Sequence, residues 1–383
     1  MKKSPLLRNN PLKTLISSLI CILGGILVGY IALLIIEPKG AWDAITAILK
    51  SFFKYSSERS RLKYFGQTLV RTVPLILCSL SVIFAYKVGM FNIGVAGQYV
   101  AGACGALYAA LAWNLPWYLC LLIAMAAAAL LGAISGVLKT FCNVNVVISG
   151  IMLNWIVLYV TNLVLTEVKS PNGPSTIPLR GANNDALLPD LGMQELFANE
   201  KTVTIAIPLA VIAAIVVWVI LNKTKFGYEL KATGHNYHAA KYAGMKENRN
   251  IILSMAISGA LAGLGAGLLY LSGIEEWDTT VSSVPAMGFN GIAVAFLGGL
   301  SPIGSILSAF FIQYITFGGG NVDLQVYCSQ ISSLISSLII YLCAFVAFFK
   351  HFMEVRAQRK ADKKEKEQAL KAAQENPEGG EEV

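Results

Sequence analysis

The sequence predicts an all-α integral membrane protein of about ten transmembrane helices in two inverted five-helix halves, with discontinuous helices near the midplane. Three observations carry this expectation. The 383 residues are 55% hydrophobic and 14% charged, with a mean hydropathy of +0.61, too apolar and too sparsely charged for a water-soluble chain of this length. Ten apolar runs divide the chain, each bounded by polar or glycine- and proline-containing segments. A Phe-Asn motif followed by glycine and a run of small residues occurs twice, at 89–96 and 288–295, once in each set of five runs.

Taken in order, the first run spans 14–36 after a basic start and is long enough to cross about 30 Å of hydrocarbon. A cleaved secretory signal is the competing reading. Its apolar region would be shorter and followed by a small-x-small site, whereas Glu37-Pro38-Lys39-Gly40 follows here, which favours a retained helix. Residues 41–55 place Trp42, Ile45, Ile48, Leu49, Phe52 and Phe53 at helical spacing against Asp43, Lys50 and Lys54, the pattern of an amphipathic helix lying on the membrane surface. Further runs lie at 65–86, 93–113, 117–138, 144–165, 203–221, 251–272, 287–300, 303–317 and 331–349. Several are too short or too rich in glycine for straight helices.

Two long polar segments interrupt the runs, so that 1–350 reads as one transmembrane domain and 351–383 as a charged tail in the cytoplasm. Residues 167–201 carry four prolines and read as an external loop. Residues 222–250 have helix punctuation of their own: Asn236 is an N-cap residue type, 237–243 form about two alanine-rich turns, and Gly244 supplies a left-handed stop. So short a helix is marginal alone in water and needs a surface to rest on. Ala239, Ala240, Ala243 and Gly244 let another backbone approach, while Tyr237, His238 and Tyr242 can fill a groove. A solvated connecting loop is the alternative reading of the same residues. With both termini inside, this segment is inside as well, and 39–63, with six basic residues, falls outside against the positive-inside tendency.

Five is odd, so successive halves enter the membrane in opposite directions, the pattern of an inverted-topology repeat. Buried amides are costly unless satisfied. Asn92, Gln98, Asn154 and Asn290, with Phe91 and Phe289, are therefore candidates for a solute path or gate. Mutual satisfaction across helices is the alternative for the amides, and close helix packing explains Gly94, Gly97, Gly102 and Gly105. Arg71 and Lys87, near span ends, fit snorkelling or lipid contact.

The formal charge of +8 is concentrated beside the apolar runs, so it points to lipid headgroups and topology and not to nucleic acid. The seven cysteines are scattered without a C-x-x-C pair, which argues against a disulfide framework or zinc site. No phosphate loop, catalytic triad or metal-ligand spacing is present, so neither a catalytic residue nor a metal or other cofactor is expected in this chain. Acidic residues are nearly absent from the runs, which leaves an ion-coupled secondary transporter little to work with.

PLILCSLSVIFAYKVGMFNIGVAGQYVAGA (74–103), NVVISGIMLNWI (145–156), FGYELKATGHNYHAAKYAGM (226–245) and GFNGIAVAFLGGLSPIGS (288–305) together resemble the permease subunits of bacterial ABC importers. The nearest group is the nucleoside permeases, related to those for ribose and branched-chain amino acids. The resemblance implies a multi-pass protein of the bacterial plasma membrane that translocates nucleosides; ribose, another simple sugar or a branched-chain amino acid is the alternative substrate. It also implies a second homologous permease subunit, an external substrate-binding lipoprotein, and ATP-binding subunits that use ATP and Mg. The stretch from Gly234 to Gly244 resembles the family's coupling helix, which implies that Gly234, Asn236, Tyr237, His238, Ala239, Ala240, Tyr242, Ala243 and Gly244 face the ATPase. In the family a Pro-Glu pair commonly occupies the place of Tyr237-His238; the departure leaves the small-residue packing intact and puts an acidic contact to the ATPase in doubt.

Overall fold

The computed structural model describes residues 11–322 together with 334, 337–338, 341–342, 345 and 355. The expected last run at 331–349 and the charged tail lie mostly outside the described residues. Among those described there is no strand, only two isolated bridges, Lys169 with Thr176 and Ser175 with Asp278. The helices are α1 (Pro11–Ile36), α2 (Ala41–Lys50), α3 (Glu58–Lys87), α4 (Val95–Leu111), α5 (Trp117–Cys142) and α6 (Val146–Leu165). Two short turns, α7 (Leu179–Ala182) and α8 (Met193–Leu196), precede α9 (Ala206–Lys223), α10 (Lys225–His235), α11 (Tyr237–Tyr242), α12 (Glu247–Tyr270), α13 (Met287–Leu297) and α14 (Pro302–Gly319).

Among the described residues six helices are long and apolar enough to cross a membrane: α3, α5, α6 with its extension to Val168, α9, α12 and α14. α4 and α13, with 17 and 11 residues, are shorter. The Phe91-Asn92 pair lies in the non-helical stretch just before α4, whereas Phe289-Asn290 lies inside α13, whose helix ends at Leu297 ahead of the break before α14. Helix starts use local chemistry where the sequence provides it. Asn145 accepts from Val147 N at 2.9 Å to cap α6, and Ser301 caps α14 with Pro302 at its first position.

The centre of the bundle is α3 against α12. Their most apolar stretches are 89% and 67% buried, against 39% in α5, 33% in α6 and 28% in α9, whose outer faces are left for lipid. α12 also packs on α4 and α5, and α3 on α13 and α14. Small residues permit these approaches. Gly102 of α4 lies directly on Gly263 of α12, and a methyl group there would collide with the facing backbone.

α2 differs from the surface helix that its pattern predicts. Ala41, Ala44, Ile45, Ala47 and Ile48 are buried, and the Ile48 carbonyl rests against Gly318 of α14. Tyr314 Oη donates to Leu49 O at 2.6 Å and Asn321 Nδ2 to Ser51 O at 3.1 Å. Trp42, Leu49 and Phe53 remain exposed. Amphipathic spacing specifies an apolar face, but not whether protein or lipid covers it.

Residues 39–63 share one end of the bundle with the 167–201 loop. Lys63 pairs with Glu200 at 3.6 Å, and Phe65 packs on Phe197 with ring centroids 5.8 Å apart. The loop is tied to the segment after α12 by Leu188 N to Leu271 O (3.1 Å) and Thr176 N to Trp277 O (2.8 Å), and there Glu275 forms an ion pair with Arg71. α9, about 27 Å long at 1.5 Å per residue, separates this end from the α10–α11 end. In a cysteine-depleted background, an impermeant thiol reagent applied to intact cells should label a cysteine replacing exposed Asn172 and spare one replacing exposed Lys246. Labelling of both from the same side would contradict the arrangement.

Candidate functional site

The short loop helix forms as its punctuation predicts. Asn236 sits in extended backbone (φ −153°, ψ 104°), and its Oδ1 accepts from Ala239 N at 3.0 Å. Gly244 (φ +77°) ends the helix, with Met245 N bonded to Ala240 O at 3.1 Å. Tyr237 Oη donates to Asn248 Oδ1 at 2.9 Å beside Glu247. Desolvation and that neighbouring carboxylate hold the phenol above its ordinary pKa. His238, Ala239, Tyr242, Ala243 and Gly244 are exposed, Tyr242 by 93%. Ala240 is not: it is buried on the protein's own side, so the four small residues do not share one outward face.

The end of α10 lies backbone to backbone on the turn between α3 and α4. A methyl group at Gly234 would stand 2.8 Å from Val88 C and 2.9 Å from Gly89 N, and against the Lys87 carbonyl. Gly89 itself takes φ +81°, a conformation that side chains other than glycine's strain to adopt. Phe91 and Asn92 follow at once. The Phe91 ring stands 6.3 Å from that of Phe296 on α13, and Tyr86 meets Phe296 edge-on at 5.8 Å.

Beyond this turn α4 begins without a cap of its own, since Gly94 at the cap position has no side chain. α6 supplies one. Asn154 Oδ1 accepts from Gly97 N at 2.8 Å, and its Nδ2 donates to Ile93 O at 3.2 Å. Asn92 Nδ2 donates to Gln98 Oε1 at 2.9 Å and to Ser258 Oγ of α12 at 2.8 Å, and the Ser258 and Ser81 hydroxyls are 2.8 Å apart. All five side chains are buried, and Asn92 Oδ1 and Gln98 Nε2 have no hydrogen-bond partner among the described residues.

The structure thus gathers Phe91, Asn92, Gln98 and Asn154 around the start of α4. Phe289 and Asn290 stand on the first turn of α13, which touches that start: a methyl at Gly288 would lie 2.6 Å from Ala96 N. Phe289 is 40% exposed, and the Asn290 side chain makes no hydrogen bond among the described residues. Ser81 and Ser258 have no distinguishing mark in the sequence, because serines in apolar helices ordinarily bond to their own helix. Among the described residues no group of three or more His, Cys, Asp or Glu could hold a metal ion. What the cluster offers is amide and hydroxyl chemistry, suited to an uncharged, hydrogen-bonding solute.

Residues 64–344 match the family model described as branched-chain amino acid transport system / permease component. The chain belongs to this permease family. The permease is 37% identical over 266 residues to the guanosine ABC transporter permease protein NupP of Bacillus subtilis (strain 168), covering 68% of the chain and 75% of that relative. It is 34% identical over 318 residues to the nucleoside ABC transporter permease protein NupB of Lactococcus lactis subsp. cremoris (strain MG1363), covering 81% and 85%. To the glucose ABC transporter permease protein TsgB13 of Haloferax volcanii it is 30% identical over 274 residues, covering 68% and 70%. No solved structure matches. The permease is a multi-pass membrane subunit of an ABC transporter, in which a separate ATP-binding subunit carries hydrolysis and a binding protein delivers solute.

Replacing Asn154 by Ala removes the partners of Gly97 N and Ile93 O, and an unsatisfied buried polar group costs about 1–3 kcal/mol. The melting temperature of the detergent-solubilised permease should fall for Asn154→Ala and stay at the wild-type value for Asn290→Ala.

Proposed function

We propose that the permease imports nucleosides across the bacterial plasma membrane, as the membrane-spanning subunit of an ATP-driven importer. The observation that carries the substrate is the 34–37% identity to relatives named for guanosine and nucleosides, over 68–81% of this chain. The buried amides and hydroxyls beside Phe91 suit it: a base can stack on an aromatic ring while the ribose hydroxyls bond to amides. A sugar is the second reading, favoured by the 30% identity to the glucose permease.

The working assembly pairs the permease with a second homologous permease subunit, ATP-binding subunits that use ATP and Mg, and an external substrate-binding lipoprotein. Residues 1–350 form the transmembrane domain, with 167–201 outside and 222–250 inside, and 351–383 form a cytoplasmic tail. In this reading there are ten spans in two inverted halves. Contacts between the halves support that reading: α12 of the second half packs on α5 and α4 of the first, as α3 of the first packs on α14 and α13 of the second, and α2 takes the place of the α10–α11 segment.

In this mechanism α11 is the coupling helix. ATP-driven closure of the partner displaces Tyr237–Tyr242 together with α10. The contact of Gly234 on Gly89 carries that displacement to the turn before α4, two residues from Phe91. Asn92 and Gln98 then change partners as α4 shifts against α12, and the path reorients. The chain does no covalent chemistry.

Proteoliposomes containing the permease with its partner permease, ATPase and binding protein should accumulate labelled guanosine when ATP is present, with uptake reduced by other nucleosides and unaffected by glucose or leucine. Uptake by the permease alone on an ion gradient, or glucose uptake without guanosine uptake, would overturn the reading.

A further inference from the structure

The polar segment that carries α10 and α11 exposes one sign of charge. Between residues 223 and 250 the sequence has six basic and two acidic residues, but the structure divides them unequally. Both carboxylates turn inward and are paired. Glu229 has a side chain 14% exposed and lies 3.9 Å from Lys225 Nζ; Glu247, 10% exposed, lies 3.9 Å from Lys241 Nζ. Five cations stay at the surface: Lys223, Lys225, Lys241, Lys246 and Arg249. Lys225 and Lys241 keep side-chain exposures of 90% and 66%, so weak pairing at 3.9 Å leaves their charges open to a partner. Lys246 and Arg249 make no ion pair among the described residues.

The same segment leaves two tyrosines in the open, Tyr228 on α10, 66% exposed, and Tyr242 at the end of α11, 93% exposed. Exposed tyrosines flanked by cations, with every nearby carboxylate withdrawn, form a surface that an acidic and partly apolar groove would complement. Solvation alone accounts for exposed lysines. It does not account for two largely exposed aromatic side chains, or for the withdrawal of both carboxylates of the segment from solvent.

We propose that the groove receiving α11 is acidic: the ATP-binding subunit presents carboxylates to Lys223, Lys246 and Arg249 around a pocket for Tyr242. This inference rests on α11 being the coupling helix and adds the charge chemistry of its partner. Complementary rim charges chiefly raise the rate of encounter and fix orientation, so association should weaken steeply with salt.

The test uses the full-length permease in phosphatidylcholine nanodiscs with its ATP-binding subunit, measuring the dissociation constant over a range of NaCl concentrations. Melting temperature serves as the check on folding. The triple variant Lys223→Glu, Lys246→Glu, Arg249→Glu should bind about tenfold more weakly at low salt and lose most of the salt dependence. Tyr242→Ala, measured in parallel, reports whether α11 docks at all. If Tyr242→Ala weakens binding while the triple reversal does not, the acidic groove is wrong and the coupling helix stands. If neither weakens binding, both are wrong. A defect of the triple variant that appears only in nanodiscs containing phosphatidylglycerol would assign the cations to anionic lipid and overturn the proposal.

Discussion

Within a bilayer every backbone N–H and C=O must find a partner in the protein, and the segment between α3 and α4 is one place where this chain departs from continuous helix. The Asn154 carboxamide makes that departure affordable by serving Gly97 N and Ile93 O together. It acts as a helix cap supplied from another helix. Its dependence on glycine is steric as well as conformational: a methyl at Gly97 would fall 2.6 Å from Asn154 Oδ1, and one at Gly150 would fall 2.8 Å from Gly94 N. The broken start of α4 is thus held by close backbone approach on one side and a single amide on the other.

Two consequences follow for function. Breaking the helix frees Asn92 to bridge Gln98 and Ser258, which in turn meets Ser81; these four buried side chains share hydrogen bonds and leave one donor and one acceptor without a partner among the described residues. A half-satisfied network of this kind gains little by keeping one arrangement, which suits a place where partners must be exchanged. The break also places the Gly89 turn at the α10–α11 end, directly under Gly234. Contact between two backbones has no flexible side chain to absorb motion, which suits this contact to the transmission proposed for it.

Much of this was legible in the sequence where the signal was local. Asn236 and Gly244 marked the bounds of α11 because capping and the left-handed stop depend on a few neighbouring atoms. Apolar runs located the long helices for the same reason, but of the two Phe-Asn pairs only the first marks a non-helical stretch, since Phe289 and Asn290 lie within α13. Non-local choices were not legible. Ile45 and Ile48 of α2 could face lipid or α14, and Ala240 could face a partner or its own chain, with no difference in periodicity. Asn92 was a candidate on cost alone, but its bond to Ser258 joins residues 166 apart in sequence. Arg71 read as a lipid-facing cation, yet Glu275, from a loop of no marked pattern, pairs with it.

The central claim is that motion of the α11 end reaches the start of α4 through Gly234 on Gly89. The direct measurement is the thiol-labelling rate of Phe91→Cys in the reconstituted complex, with and without ATP, in the Gly234 and Gly234→Val backgrounds. A valine overpacks a contact that has no room for a methyl group and should cost about 1–3 kcal/mol in the joint. ATP should change the labelling rate in the Gly234 background and leave it unchanged in Gly234→Val while hydrolysis continues. An equal ATP-dependent change in both backgrounds would contradict transmission through this contact.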